Sequence, residues 1–174
     1  MGRVKVENVA SLLFYRKGNQ VQHILYNLKY KGNKGVGEYL GDYYGRKLTK
    51  VDSYRSIDYI IPIPLHKKKL KKRGYNQSEW IAMGLSKGMS KPYLNDILVR
   101  TEFTETQTRK NRFSRWENVK EVFQVLNKEK IKGKHLLVCD DVLTTGATME
   151  AALIKLLEVP GVTVSVVTLA AAHK

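Results

Sequence analysis

Residues 135–148 constrain the fold of this chain more than any other stretch. The run His135-Leu136-Leu137-Val138-Cys139 ends on two adjacent acids, Asp140 and Asp141. Val142 and Leu143 follow, then Thr144-Thr145-Gly146-Ala147-Thr148. Beyond that loop Met149, Ala152, Leu153, Leu156 and Leu157 share one face of a helix expected over residues 147–158. The order is therefore strand, acid pair, hydroxyl-rich loop, helix. A helix N-terminus offers unpaired backbone N–H groups, small residues let an anion approach them, and threonine hydroxyls add donors, so the loop predicts a phosphate cradle. Ionised carboxylates only accept hydrogen bonds, and two in succession suit the vicinal hydroxyls of a sugar. Beside a phosphate they also invite Mg²⁺. A plainer alternative makes Asp141 or Thr145 a helix cap and Gly146 a turn residue. Capping uses one acid rather than two, and an unpartnered carboxylate at the end of a buried strand is costly.

The rest of the chain supplies a matching frame. Residues 12–15 read as a short strand. Val21, Ile24, Leu25 and Leu28 give an amphipathic helix over residues 18 to about 30, ended by Gly32. A second helix is expected over residues 35–50 with Leu40, Tyr44 and Leu48 inward. Asp58-Tyr59-Ile60-Ile61-Pro62-Ile63-Pro64 reads as a buried strand that prolines terminate. A basic loop, Lys67-Lys68-Lys69-Leu70-Lys71-Lys72-Arg73, precedes a helix over residues 77–87 with Trp80, Ile81, Gly84 and Leu85 at helical spacing, the crossover between parallel strands. Residues 97–99 form a weak strand, 101–118 a long polar loop, 122–125 an alternating strand, and 162–170 a final strand. Strands alternating with helices predict an α/β domain: a mostly parallel central sheet with helices on both faces. Ligands in such sheets bind beyond the carboxyl ends of the strands, where both Pro62-Ile63-Pro64 and Asp140-Asp141 fall.

A length of 174 residues with 43% hydrophobic content fits a single domain, residues 1–174, with about 1–50 as a hood and flanking helices and 51–174 as core. One cysteine and the lack of a long apolar run exclude a disulfide scaffold and a membrane span. With no secretory signal at residues 1–7, a cytoplasmic setting is expected. The net charge of +15, from 31 basic and 16 acidic residues, favours polyanionic partners, either nucleic acid or a substrate with several phosphates. The lysine run by itself is as readily a solvated surface as a binding one.

The acid pair and threonine loop resemble the phosphoribosyl pyrophosphate signature of the type I phosphoribosyltransferases, without a gap. Leu28-Lys29-Tyr30-Lys31-Gly32, Pro62-Ile63-Pro64-Leu65-His66, Arg73-Gly74-Tyr75-Asn76-Gln77 and Arg115-Trp116-Glu117-Asn118-Val119 are similar to the ComF-like branch, the competence-associated amidophosphoribosyltransferase homologues. That likeness implies the type I, Rossmann-like fold. Members of the branch usually begin with a cysteine-rich zinc ribbon; with one cysteine here that module is expected to be absent or removed, and zinc is not predicted. The resemblance implies that Asp140 and Asp141 hold the ribose hydroxyls and Mg²⁺. Val142, Leu143, Thr144, Thr145, Gly146, Ala147 and Thr148 would hold the 5′-phosphate. Ile63, Pro64, Leu65, His66 and Lys67 would grip pyrophosphate, whose charge Lys67, Arg73 and Mg²⁺ would neutralise. Gln107, Arg109, Arg112 and Arg115 would belong to a loop closing over the substrate, with Arg112 among the catalytic groups.

The reaction implied is displacement of pyrophosphate from ribose C1 by a nitrogen nucleophile, through an oxocarbenium-like state. No strong general base declares itself: His66 is the nearest, and a loop histidine beside lysines is more often simply exposed. Tyr75, Asn76 and Gln77 read as ligand contacts, or Asn76 as a helix cap. The acceptor, a base or amine, is not identified by any residue, and the fold is compatible with a homodimer. The competing expectation is a non-catalytic phosphoribosyl pyrophosphate sensor, or a DNA-uptake accessory using its basic surface on single-stranded nucleic acid. A nucleotide P-loop and a Gly-x-Gly-x-x-Gly dinucleotide turn are both missing, as is the Asp-x-Asp spacing of aspartyl phosphatases.

Overall fold

A computed structural model of the chain describes residues 4–16, 18–100 and 123–172. In chain order the elements are β1 (Val9–Tyr15), α1 (Gln20–Tyr30), α2 (Lys34–Leu48), a 3₁₀ turn (Asp52–Tyr54), β2 (Tyr59–Pro62), α3 (Lys67–Arg73) and α4 (Gln77–Met89). They continue with β3 (Leu98–Arg100), β4 (Phe123–Val125), α5 (Lys128–Ile131), β5 (His135–Leu143), α6 (Ala147–Leu157) and β6 (Thr163–Ala172). The central sheet is four-stranded in the order β1-β6-β5-β2. Every pairing in it is parallel.

The α/β architecture is thus the expected one, and its layering follows from strand alternation. Successive side chains on a strand point to opposite faces. On β5, Leu136 and Val138 enter one core with Met149, Ala152, Leu153 and Leu156 of α6. Leu137 and Cys139 enter the other, with Leu28 of α1, Tyr44 and Leu48 of α2, and Ile81, Ala82 and Leu85 of α4. All four of these β5 side chains are fully buried, as befits a strand covered on both faces.

Helices α1 and α4 begin at asparagine caps. Asn19 accepts from Gln22 N at 3.1 Å ahead of α1, and Asn76 accepts from Ser78 N at 3.2 Å ahead of α4. Helices α2 and α4 cross at backbone contact distance. A Cβ on Gly41 would lie 2.5 Å from the Ile81 carbonyl oxygen, and one on Gly84 would strike the Glu38 carbonyl.

Two expectations are corrected. The basic run is the helix α3 rather than a loop: the His66 ring accepts from Lys68 N at 3.1 Å, lysine is a good helix former, and Gly74 ends the helix at φ 77°. It lacks apolar periodicity because all its residues except Arg73 are exposed. The weak strand at 98–100 does not join the parallel sheet. It pairs antiparallel with β4 in a separate two-stranded ribbon, Leu98 opposite Val125 and Arg100 opposite Phe123. The long polar segment, with Gln107, Arg109, Arg112 and Arg115, lies outside the described residues.

Candidate functional site

The carboxyl ends of β2 and β5 open into a trough with two compartments. One, of about 60 Å³, is lined by Asp140, Val142, Leu143, the Thr144–Thr148 loop and Met149. The other, of about 150 Å³, is lined by Ile63, Pro64 and Leu65 after β2, by Lys69 and Arg73 of α3, by Asn76, Gln77 and Ser78, and by Lys29, Arg100, Asp140, Asp141 and Thr148. Asp140 and Thr148 belong to both, so the acid pair lies between a loop of hydroxyls and a wall of cations.

The loop compartment is built by a helix start that no side chain caps. Gly146 precedes α6 with φ 80°, a left-handed conformation that glycine adopts without strain. Thr145 Oγ1 reaches only Ala147 N, at 3.4 Å. Thr144, Thr145, Ala147 and Thr148 are exposed while Met149 anchors the helix in the core. Exposed hydroxyls and N–H groups above a fixed helix are the geometry that anion sites use.

The acid pair is partnered, as a buried pair must be. Asp140 Oδ1 accepts from Ser78 Oγ at 2.7 Å and from Asp141 N at 2.8 Å. Lys29 Nζ lies 3.0 Å from Asp141 Oδ2. Burial and the neighbouring Asp141 push the Asp140 carboxyl up to about 7, against the opposing pull of the Ser78 and Asp141 N–H hydrogen bonds and of Lys29. Arg100, at the end of β3, has its guanidinium pKa lowered by burial, which the charge of Asp140 partly offsets.

Most of the residues expected at the site meet there: Asp140, Asp141, the whole of Val142–Thr148, Ile63, Pro64, Leu65 and Arg73. His66 and Lys67 are not among the lining residues. The His66 ring instead caps α3, and the cations α3 turns toward the trough are Lys69 and Arg73, one helical turn apart. The alternative open for Asn76 resolves toward capping, with its Nδ2 also donating to Ile63 O at 3.0 Å. Tyr75 is structural: its hydroxyl donates to Leu28 O and secures the end of α1. Gln77 stays a ligand candidate, 2% exposed with no partner for Nε2. Lys29, Ser78 and Arg100 were not singled out from the sequence. For Lys29 the signal was its motif, Leu28-Lys29-Tyr30-Lys31-Gly32; Ser78 and Arg100 carried none.

Comparison with known proteins agrees with this fold. The phosphoribosyl transferase domain family matches residues 76–174. Competence protein F of Haemophilus influenzae is 36% identical over 105 residues, 60% of this chain and 46% of that protein. DNA utilization protein YhgH of Escherichia coli O157:H7 is 33% identical over 92 residues, 53% of this chain and 40% of that protein. The chain thus spans less than half the length of the curated relatives it matches. Among solved structures, the glutamine phosphoribosylpyrophosphate amidotransferase of B. subtilis superposes with a TM-score of 0.53 at 16% identity, over 81% of this chain and 30% of that one. The adenine phosphoribosyltransferase of Leishmania tarentolae does so with a TM-score of 0.50 at 11% identity, over 91% and 90%. These likenesses show the fold. No helix among the described residues is long and apolar enough to cross a membrane. The chain belongs to the phosphoribosyl transferase domain family, as a ComF-like type I member.

Proposed function

We propose that the trough binds phosphoribosyl pyrophosphate and that the chain transfers the phosphoribosyl group to a nitrogen nucleophile. The observation that carries this reading is the placement of the acid pair between the threonine loop at the start of α6 and a wall of cations, Lys69, Arg73 and Arg100. The 5′-phosphate rests on the N–H groups and hydroxyls of Thr144–Thr148, the ribose hydroxyls face Asp140 and Asp141, and pyrophosphate lies along Ile63–Leu65 against Lys69, Arg73 and Arg100.

The donor set fits Mg²⁺ as a cation shared with the ligand. Ser78 and the Asp141 N–H engage one oxygen of Asp140, and Lys29 one oxygen of Asp141. Among the described residues that leaves one oxygen of each carboxylate for a metal. Among the described residues no cluster of three or more His, Cys, Asp or Glu side chains surrounds an ion. Substrate oxygens and water complete such a shell. When bound, Mg²⁺ neutralises pyrophosphate charge.

The chain's own residues position the substrate and stabilise charge. The C1–O bond breaks with its electron pair leaving on pyrophosphate, while the nitrogen forms the new bond at C1 and gives its proton to solvent. The cations of α3 and Arg100 stabilise the departing anion. His66 is turned to capping α3 and is not placed as a general base.

A second reading, binding of single-stranded nucleic acid, is favoured by one observation. Tyr26 and Tyr30 are exposed one turn apart on α1, with ring centroids 5.0 Å apart, and Arg73 lies 5.2 Å over Tyr30. Tyrosines flanked by cations suit stacked bases, and the related proteins are named for competence and DNA utilization. A pyrophosphate-release screen across amines and nucleobases, with Asp140→Asn/Asp141→Asn as the blank, decides between the readings. Release with one acceptor class supports the transferase. Phosphoribosyl pyrophosphate binding without release, together with a salt-steep affinity for oligonucleotides, supports the second.

A further inference from the structure

The Lys29–Asp141 pair joins α1 to the sheet. Lys29 lies in the last turn of α1, and the residue before it, Leu28, is fully buried with its carbonyl bound by the Tyr75 hydroxyl. The end of α1 is therefore fixed at the lip of the trough, and the Lys29 side chain lies 23% exposed against an Asp141 side chain that is 10% exposed. Among the described residues Lys29 is the one side chain in ion-pair contact with either acid. Arg100 acts on Asp140 only at longer range, and Lys69 and Arg73 line the same compartment farther along α3.

We propose that Lys29 is an internal cation that competes with divalent metal for Asp141. The inference rests on the reading of the acid pair as the ribose and metal site. A buried carboxylate requires a counter-charge, and in the ligand-free protein the ammonium supplies it. Free metal must displace a cation tethered at 3.0 Å and offers little in exchange, because the protein contributes only two carboxylates to it. A cation arriving on a polyphosphate brings most of its ligands along. Lys29, once displaced, stays within the trough, where its ammonium pairs with the phosphate oxygens that came with the metal. The ion pair thereby selects the metal–substrate complex over free metal, and it couples the end of α1 to occupancy of the site.

The test is Mn²⁺ binding to the full chain without any phosphoribosyl compound, followed by electron paramagnetic resonance of the free ion. Lys29→Gln is expected to tighten Mn²⁺ binding by on the order of tenfold over wild type, and Lys29→Arg to leave it unchanged. Lys29→Gln/Asp141→Asn is expected to lose the gain. Lys29→Met, which keeps the aliphatic stem, replaces the Gln variant if that one folds poorly by circular dichroism. Equal Mn²⁺ affinity in wild type and the neutral variants, or no detectable binding to either, overturns the proposal. Calorimetry of Mg²⁺ and phosphoribosyl pyrophosphate on the wild type separates the two failures: binding there with no effect of Lys29 on Mn²⁺ removes the competition alone, whereas no binding there removes the site reading beneath it.

Discussion

Ser78 Oγ donates to Asp140 Oδ1 across 2.7 Å, tying the first turn of α4 to the carboxyl end of β5. Ser78 is 3% exposed, so water cannot readily replace it. Ser78→Ala is expected to cost about 1.5–3 kcal/mol, the worth of a hydrogen bond to a charged group. It should lower Tm by roughly 3–12 °C at about pH 8.5, above the Asp140 pKa of about 7, where that carboxyl is ionised. Differential scanning calorimetry checks this, and an unchanged Tm would show that the bond contributes nothing.

The crossing of α2 and α4 sets where Asn76, Gln77 and Ser78 present themselves, and it depends on the absence of side chains at the contact. Gly84→Ala would drive a methyl group into the Glu38 carbonyl and is expected to destabilise by about 1–3 kcal/mol or more. Gly35→Ala, whose Cβ would meet only Asn33 Oδ1 at 3.9 Å, is expected to gain about 0.5–1 kcal/mol from lower backbone entropy in the unfolded chain. Urea denaturation of the two variants should therefore move Cm in opposite directions, and a shared direction contradicts the packing described.

His135 begins β5 at the end away from the trough. Its ring bonds Ser56 Oγ and Ser165 Oγ, each at 2.9 Å, and its N–H donates to Asp58 at 2.8 Å. Burial lowers its pKa from 6.5, with Glu7 and Asp58 pulling the other way. The unfolded chain then takes up the proton first, so the histidine's contribution is fully present above pH 6.5 and is lost as pH falls from there through the folded value. Stability of the wild type is expected to decline more between pH 7 and pH 5.5 than that of His135→Gln, measured by urea unfolding at each pH. Parallel pH profiles would refute it.

Local chemistry is what the sequence made readable. Strand, acid pair, threonine loop and helix occupy consecutive residues from His135 to Leu157, so their arrangement follows from short-range rules, and the structure reproduces it. Lys29, Ser78 and Arg100 reach the same acids from α1, α4 and the β3–β4 ribbon, separations of 112, 62 and 40 residues (141 − 29, 140 − 78 and 140 − 100) that only tertiary packing closes. The lysine run illustrates the reverse error. Its helix α3 has no buried residue, so hydrophobic periodicity carried no trace of it, and its cap, His66, was read as a candidate base. Which lysine faces the trough was decided by helical phase: Lys69 and Arg73 do, while Lys67 is not among the lining residues.

The most direct test of the account is isothermal titration of phosphoribosyl pyrophosphate with Mg²⁺ into the wild type and into Asp140→Asn/Asp141→Asn. Asparagine preserves the shape of both side chains and the carbonyl that accepts from Ser78, so the variant should fold with unchanged secondary structure by circular dichroism. The account predicts Mg²⁺-dependent binding to the wild type and none to the double variant. Equal affinity in the two proteins would contradict the placement of the ribose and metal on the acid pair.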